Sequence, residues 1–270
     1  MSQARRTRRA LLGSLGLAAI GAPILLNRGA DAAVTEGGSA AAAPVTTLAG
    51  AWTPNPRTDG LKMFESLEDD RAKSHAGTKH IYVQGDNVRF DMHMRDRDTS
   101  TDRQRNEAVG MEQNGRRLDM RDGETWKLSW ELFIPSSLRA TKSFTHIHQL
   151  KMPGLGSAPI FVMSLRLKGG TPTIETQVAH KGVHVGQVDL APLQNKWIKT
   201  EFEFKIGNNG RVRWVLRDGS RTVIDTNRSG VDMFMSDRVR PKWGIYRSLG
   251  DKANLRDCHL LLRNMRASGG

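Results

Sequence analysis

Ile198-Lys199-Thr200-Glu201-Phe202-Glu203-Phe204-Lys205-Ile206 runs into Gly207-Asn208-Asn209-Gly210, then Arg211-Val212-Arg213-Trp214-Val215-Leu216 and Asp218-Gly219. Ile198, Thr200, Phe202, Phe204 and Ile206 alternate with charged residues, as do Val212, Trp214 and Leu216. A period of two puts each set on one face of an extended strand, and the Asn-Gly and Asp-Gly dipeptides are turn formers, so this stretch reads as an antiparallel hairpin. The pattern recurs outward from it. Trp126, Leu128, Trp130 and Leu132 alternate with polar residues up to Ile134-Pro135. Further strands are expected at 81–83, 88–94, 105–111, 144–151, 160–167, 173–178, 242–247 and 258–265. Short helical turns are expected near 61–67 and 135–138, with no sustained amphipathic helix. Roughly a dozen short strands in one domain point to an all-β fold: a β-jelly-roll sandwich of two antiparallel sheets, able to bend into a concave substrate groove.

The ends of the chain set its compartment. Arg5-Arg6-Thr7-Arg8-Arg9 precedes an apolar run over Ala10–Leu26 and an Ala30-Asp31-Ala32 cleavage pattern. This is the order of an export signal, here of twin-arginine type, over residues 1–32. An uncleaved anchor is the alternative, but the run is short and broken by Gly and Pro. Residues 33–50 are a low-complexity leader, and the single folded domain is expected over 51–270.

The chain of 270 residues carries 41 Lys and Arg against 28 Asp and Glu, a net charge of +13. Removing residues 1–32 takes away five arginines and one aspartate, leaving 36 basic against 27 acidic residues, a net +9. Such a surface suits a polyanion. Export argues against nucleic acid and for an acidic polysaccharide; a monomer without stable membrane insertion is expected after cleavage. Cys258 is the single cysteine, so no internal disulfide can form, and its apolar setting reads as a buried small hydrophobe rather than a nucleophile.

Three strands carry polar pairs on a shared face. In Pro241-Lys242-Trp243-Gly244-Ile245-Tyr246-Arg247, Lys242, Gly244 and Tyr246 share one face, and Trp243 and Ile245 the other. Tyr82 is the only other tyrosine. Arg105 and Glu107 flank Asn106, and His146 and His148 flank Ile147. Each pair has a plain structural reading too: a strand ion pair, exposed histidines, a solvated lysine. A His-x-His pair can bind metal, yet no third ligand stands at a telling distance from this one. Gathered in one groove, the pairs would suit β-elimination at a uronate. That reaction needs a cation on the carboxylate, a base for the proton alpha to it, and an acid for the leaving oxygen. A tyrosine ordinarily ionises near pH 10, and a neighbouring cation such as Lys242 favours the phenolate. Hydrolysis would want two carboxylates across the bond, and no Glu-x-Asp-x-x-Glu strand is present.

These segments, Gln104-Arg105-Asn106-Glu107, Thr145-His146-Ile147-His148-Gln149-Leu150-Lys151 and Lys242-Trp243-Gly244-Ile245-Tyr246-Arg247, resemble the jelly-roll polysaccharide lyases. The sequence is similar to the group containing glucuronan lyase and heparin lyase, and more distantly to jelly-roll alginate lyases. The resemblance implies Tyr246 as proton donor and base, His148 as the second catalytic group, and His146 where relatives place a glutamine near the carboxylate. It implies Arg105 on the uronate, Glu107 orienting Arg105, and Lys242 binding substrate. Gln149 falls on the opposite face unless a bulge re-aims it, and ranks lower as a substrate contact. The chemistry requires no cofactor; the group often holds a structural calcium ion, for which no ligands stand out. The rival readings are a non-catalytic carbohydrate-binding module, a sandwich-fold glycoside hydrolase and a structural envelope protein.

Overall fold

A computed structural model of the chain describes residues 50–154 and 158–270. The export signal expected over residues 1–32, and all but the last residue of the leader expected over 33–50, lie outside the described residues. In chain order the strands are β1 Gly50–Trp52, β2 Ser66–Glu68, β3 Ile81–Gln84, β4 Asn87–Met92, β5 Arg103–Val109, β6 Met111–Gln113, β7 Arg116–Leu118, β8 Thr125–Phe133, β9 Thr145–Lys151, β10 Phe161–Lys168, β11 Thr171–Val178, β12 Val183–Asp189, β13 Trp197–Lys205, β14 Gly210–Asp218, β15 Arg221–Val231, β16 Arg240–Ser248 and β17 Cys258–Gly269. One sheet runs β15-β14-β13-β8-β17-β4-β3, with β1 added on β17; the other runs β12-β11-β10-β9-β16-β5-β2. All strand pairs are antiparallel, and the two sheets form a β-sandwich of jelly-roll type.

The alternation that marks β13 is the cause of its placement. Ile198, Thr200, Phe202 and Phe204 are buried between the sheets, while Lys199 and Lys205 are exposed. Phe202 packs on Phe161 of the facing sheet at 5.2 Å between ring centroids, and burial of one such ring stabilises by about 1.5–3 kcal/mol. Trp243 of β16 stacks on Trp52 at 5.3 Å. Gly50, the first of the described residues, pairs with Gly269 of the last strand. Cys258 is buried, and burial pushes its thiol up to about 11, which fits an inert core residue.

Several expectations need correction. The helical turn near 61–67 lies earlier, as a one-turn helix over Pro56–Asp59 and a 3-10 turn over Gly60–Met63. Asn55 caps the first by accepting from the Arg57 amide, and Pro56 starts it. Residues 135–138 form only a turn, closed by Leu138 N donating to Pro135 O. The short strands β1, β2, β6 and β7 and the longer β12 and β15 escaped the sequence reading. The last two are edge strands with little apolar alternation. They meet each other: a Cβ on Gly186 of β12 would lie 2.7 Å from Thr226 Cγ2 of β15. Among the described residues, no helix is long and apolar enough to cross a membrane.

Gly244 is the one residue of β16 whose backbone demands glycine. Its φ is +137°, and a Cβ there would overlap the Asn106 carbonyl oxygen and sit 2.9 Å from Glu107 Cα. Gly244→Ala is therefore expected to destabilise the fold by about 3 kcal/mol, read as a lower midpoint of urea unfolding. An unchanged midpoint would mean that β16 and β5 need not approach so closely.

Candidate active site

The catalytic candidates gather on β5, β16 and β9, neighbours in the seven-stranded sheet. Tyr246 pairs with Arg105 on one side and His146 on the other; Gly244 pairs with Glu107, and Lys242 with Gln149. A cavity of about 380 Å³ opens over them, lined by Glu68, Arg71, Asp98, Thr99, Ser100, Arg103, Arg105, Lys151, Gly154, Arg240, Lys242 and Tyr246. Six of these residues are cations and two are carboxylates, as a polyanion site requires. A larger hollow of about 560 Å³ on the opposite sheet, lined by residues such as Lys127, Glu201 and Arg213, holds no Tyr, His or Cys in its wall.

The phenol is held from two sides. Arg103 Nη1 donates to Tyr246 Oη at 2.7 Å, and the Arg105 guanidinium lies 3.6 Å from the centre of the ring. Such stacking is worth about 0.5–2 kcal/mol. Phe144 packs 4.9 Å from both the Tyr246 and His146 rings. The other tyrosine, Tyr82, donates to Asp91 on the far sheet at 2.8 Å. Tyr246 is thus the tyrosine of the groove.

Beneath the phenol lies an ion network. Arg105 Nη1 contacts Glu107 at 2.9 Å and Glu68 at 3.2 Å, and its Nε donates to Asp98 at 2.9 Å. Lys242 Nζ bridges Glu68 at 2.5 Å and Glu107 at 3.0 Å. Gln149 Nε2 donates to the other oxygen of Glu107 at 2.5 Å. Burial alone would push the Glu107 carboxyl up, but Lys242 and Arg105 outweigh it and hold the group below the usual carboxylate range. Burial likewise opposes the charge on Arg105, and Glu107 and Glu68 override it, so the guanidinium stays ionised. Glu107, with Glu68 and Asp98, therefore holds Arg105 in place at the groove wall. A hydrolase would need a carboxyl kept protonated to act as acid; Glu107 is held in the opposite state.

The two histidines part company. Pairing on β9 shifts between His146, opposite Ser164 of β10, and His148, opposite Met163. One extra residue, Ile147, is accommodated there as a bulge. Two-residue spacing then no longer means a shared face. His146 faces the groove, with Nδ1 2.7 Å from Ser164 Oγ and its ring 5.8 Å from that of Tyr246. Burial, then Arg166 and Arg105, push it down to about 3, so it is a neutral imidazole near neutral pH. His148 lies in the core between Trp130, Phe202 and Trp243, at 4.6, 5.8 and 5.5 Å between ring centroids. The expected groove position for His148 is corrected accordingly. The same bulge brings Gln149 onto the groove side, where it had been ranked low.

No partner meets hydrogen-bond geometry at either nitrogen of His148. Burial pushes this ring down to about 3, offset only partly by the Lys242 backbone. In the unfolded chain it titrates near 6.5. The unfolded state then binds a proton that the folded state lacks, so this contribution is full above about pH 6.5 and is lost as pH falls toward 3. His148→Leu should flatten that slope, leave stability at pH 7 within about 1 kcal/mol, and leave turnover intact. A variant that folds but loses turnover would return His148 to the reaction.

Arg103 and Ser164 were missed. Arg103 was legible as the third member of Arg103-x-Arg105-x-Glu107 on one strand face. Ser164 had no sequence signal, because its role depends on which strand lies beside β9.

The jelly-roll sandwich is a fold found in solved alginate lyases. No protein-family model matches the chain, and no curated protein matches it. Among solved structures, it is similar to an alginate lyase from Pseudomonas aeruginosa, at 12% identity and TM-score 0.51 over 78% of this chain and 99% of that one. It is also similar to a family 7 alginate lyase, A1-II′, in complex with substrate, at 12% identity and TM-score 0.50 over 72% and 82% of the two chains. At such identities the likeness is one of fold. These neighbours belong to the alginate lyases, which the sequence reading had set as the more distant relatives.

Proposed function

We propose that this protein is an exported polysaccharide lyase that cleaves a uronic-acid polymer by β-elimination, with a glucuronan-like polymer as preferred substrate. The observation that carries the reading is Tyr246, its hydroxyl bound by Arg103 and its ring flanked by Arg105 and His146, in a cationic groove. The alginate lyases that share the fold act on another uronate polymer, which supports the class of substrate.

In the proposed reaction the phenolate of Tyr246 takes the C5 proton, alpha to the uronate carboxylate. The electron pair forms the C4–C5 double bond as the C4–O bond breaks, and the phenol returns its proton to the leaving oxygen. Arg103 holds the phenolate, and the cations of the groove hold the carboxylate and the developing enolate. Neutral His146 offers a hydrogen bond to the same centre. The step uses side chains alone. In glucuronate the C5 proton and C4 oxygen leave from the same side, which one tyrosine can serve; in guluronate they leave from opposite sides, which calls for two groups. One tyrosine in the groove therefore favours the first kind.

Purified protein incubated with glucuronan should generate unsaturated-uronate absorbance, and should act less on guluronate-rich than on mannuronate-rich alginate. Binding to these polymers without product would make the chain a carbohydrate-binding module. The twin-arginine segment carries the export part of the reading, to be tested by the periplasmic or extracellular fraction of a producing cell.

A further inference from the structure

His75, His80, His93 and Asp96 offer ligand atoms that all lie within 4.8 Å of one another. The three imidazoles stand 4.9 to 5.4 Å apart and edge-on, with interplanar angles of 63 to 77°. Asp96 reaches all three: Oδ1 lies 3.0 Å from His75 Nδ1 and 3.2 Å from His80 Nε2, and Oδ2 lies 3.3 Å from His93 Nδ1.

His80 decides what the cluster is for. Its side chain is fully buried, and its Nδ1 lies 2.6 Å from Asp69 Oδ1. Asp69 also accepts from the His80 and Ile81 amides, so its carboxylate is fixed in place. A carboxylate on Nδ1 puts the ring proton there and leaves Nε2 with a lone pair. That Nε2 finds no hydrogen-bond geometry with any partner, although an Asp96 oxygen is close. Two buried electron-pair donors turned toward one centre need a cation between them.

We propose that His75, His80, His93 and Asp96 bind one divalent transition-metal ion, zinc by its chemistry, with Asp69 orienting His80 from behind. Three imidazole nitrogens and one carboxylate suit tetrahedral zinc. Calcium prefers six to eight oxygen ligands, so the calcium common in related lyases does not fit this set. Four protein ligands close the coordination sphere, which makes the site structural. It joins two segments of one groove wall: His75 and His80 follow Arg71, and Asp96 precedes Asp98, with Arg71 and Asp98 in contact at 2.6 Å. Gln104 of β5 donates to the His93 and Asp96 carbonyls at 2.7 and 2.8 Å, tying the site to the strand that bears Arg103 and Arg105.

The metal assignment does not depend on the lyase reading. The full chain, stripped with a chelator and shown to be folded by circular dichroism, is titrated with Zn²⁺ and with Co²⁺. One equivalent per chain, a tetrahedral Co²⁺ spectrum and a raised Tm are expected. His75→Ala/His93→Ala, two partly exposed positions, should lose the stoichiometric binding and the Tm shift while keeping its β-sheet spectrum. Asp69→Asn should weaken affinity about 10- to 100-fold. His146→Ala should bind as the parent does, whether or not any polymer is cleaved. A folded stripped chain that takes up neither ion, or a double variant that binds as the parent does, overturns the proposal.

Discussion

Tyr246→Phe should reduce turnover of a uronate polymer by about 10²–10⁴-fold, the usual contribution of a positioned acid or base. The loss should fall on kcat, with KM little changed. The variant keeps the ring, and with it the Arg105 stack and the packing on Phe144. It loses only the hydroxyl bound by Arg103, and Arg103 remains held by Asp102 at 2.7 Å. Tm should therefore move little while product absorbance disappears. Tyr82→Phe is the matched control, since its hydroxyl binds Asp91 on the other sheet. Parent-like turnover in a folded Tyr246→Phe protein would exclude the phenol as acid or base.

A large stability effect is also expected at Glu107. Glu107→Leu would strip the buried Lys242 and Arg105 of a shared carboxylate, and breaking a buried pair from one side costs about 3–5 kcal/mol. Lys242 and Arg105 both retain Glu68, and Arg105 retains Asp98, so the lower end applies. For a domain of this size that corresponds to a Tm lower by about 6–12 °C. Glu107→Gln keeps the shape and removes the charge, which separates packing from electrostatics. The parent should also show an acid dependence that Glu107→Gln lacks. The unfolded carboxyl titrates near 4.3, and the folded one is held lower by Lys242 and Arg105. Stability from this group is thus complete above about pH 4.3 and is lost as pH falls through the folded value, because the unfolded chain takes the proton first. Scanning Tm of parent and variant from neutral pH to pH 3 checks both. Identical curves would mean that the network contributes nothing to folding.

How far the sequence could be read differed from strand to strand. The β13–β14 hairpin was legible because its strands bury one face and solvate the other, which writes a period of two into the chain. β15 was not, since an edge strand, exposed over most of its length, carries no such record: only Val231 among its residues is buried. Lys242 and Tyr246 were assigned to the groove, and Trp243 to the core, by alternation along β16, and the structure agrees. The same logic failed one strand away. On β9 a single extra residue moved His148 into the core and Gln149 toward the groove, and a bulge is set by the register of neighbouring strands, not by the residues it displaces. The His75, His80, His93 and Asp96 cluster was invisible for a related reason. Its members come from two loops, one on each side of the β3–β4 hairpin, and no local spacing announces them.

By itself, the chain's pattern determined an all-β sandwich, a basic surface and the side of β16 on which a lysine and a tyrosine stand. Those features follow from local periodicity and from charge, which are properties of the linear polymer. Only the tertiary structure decided which histidine reaches the phenol, that Arg103 rather than Arg105 binds its oxygen, and that three other imidazoles meet an aspartate. Each depends on register between strands or contact between loops distant in sequence, where packing chooses among arrangements that the local residues leave equal.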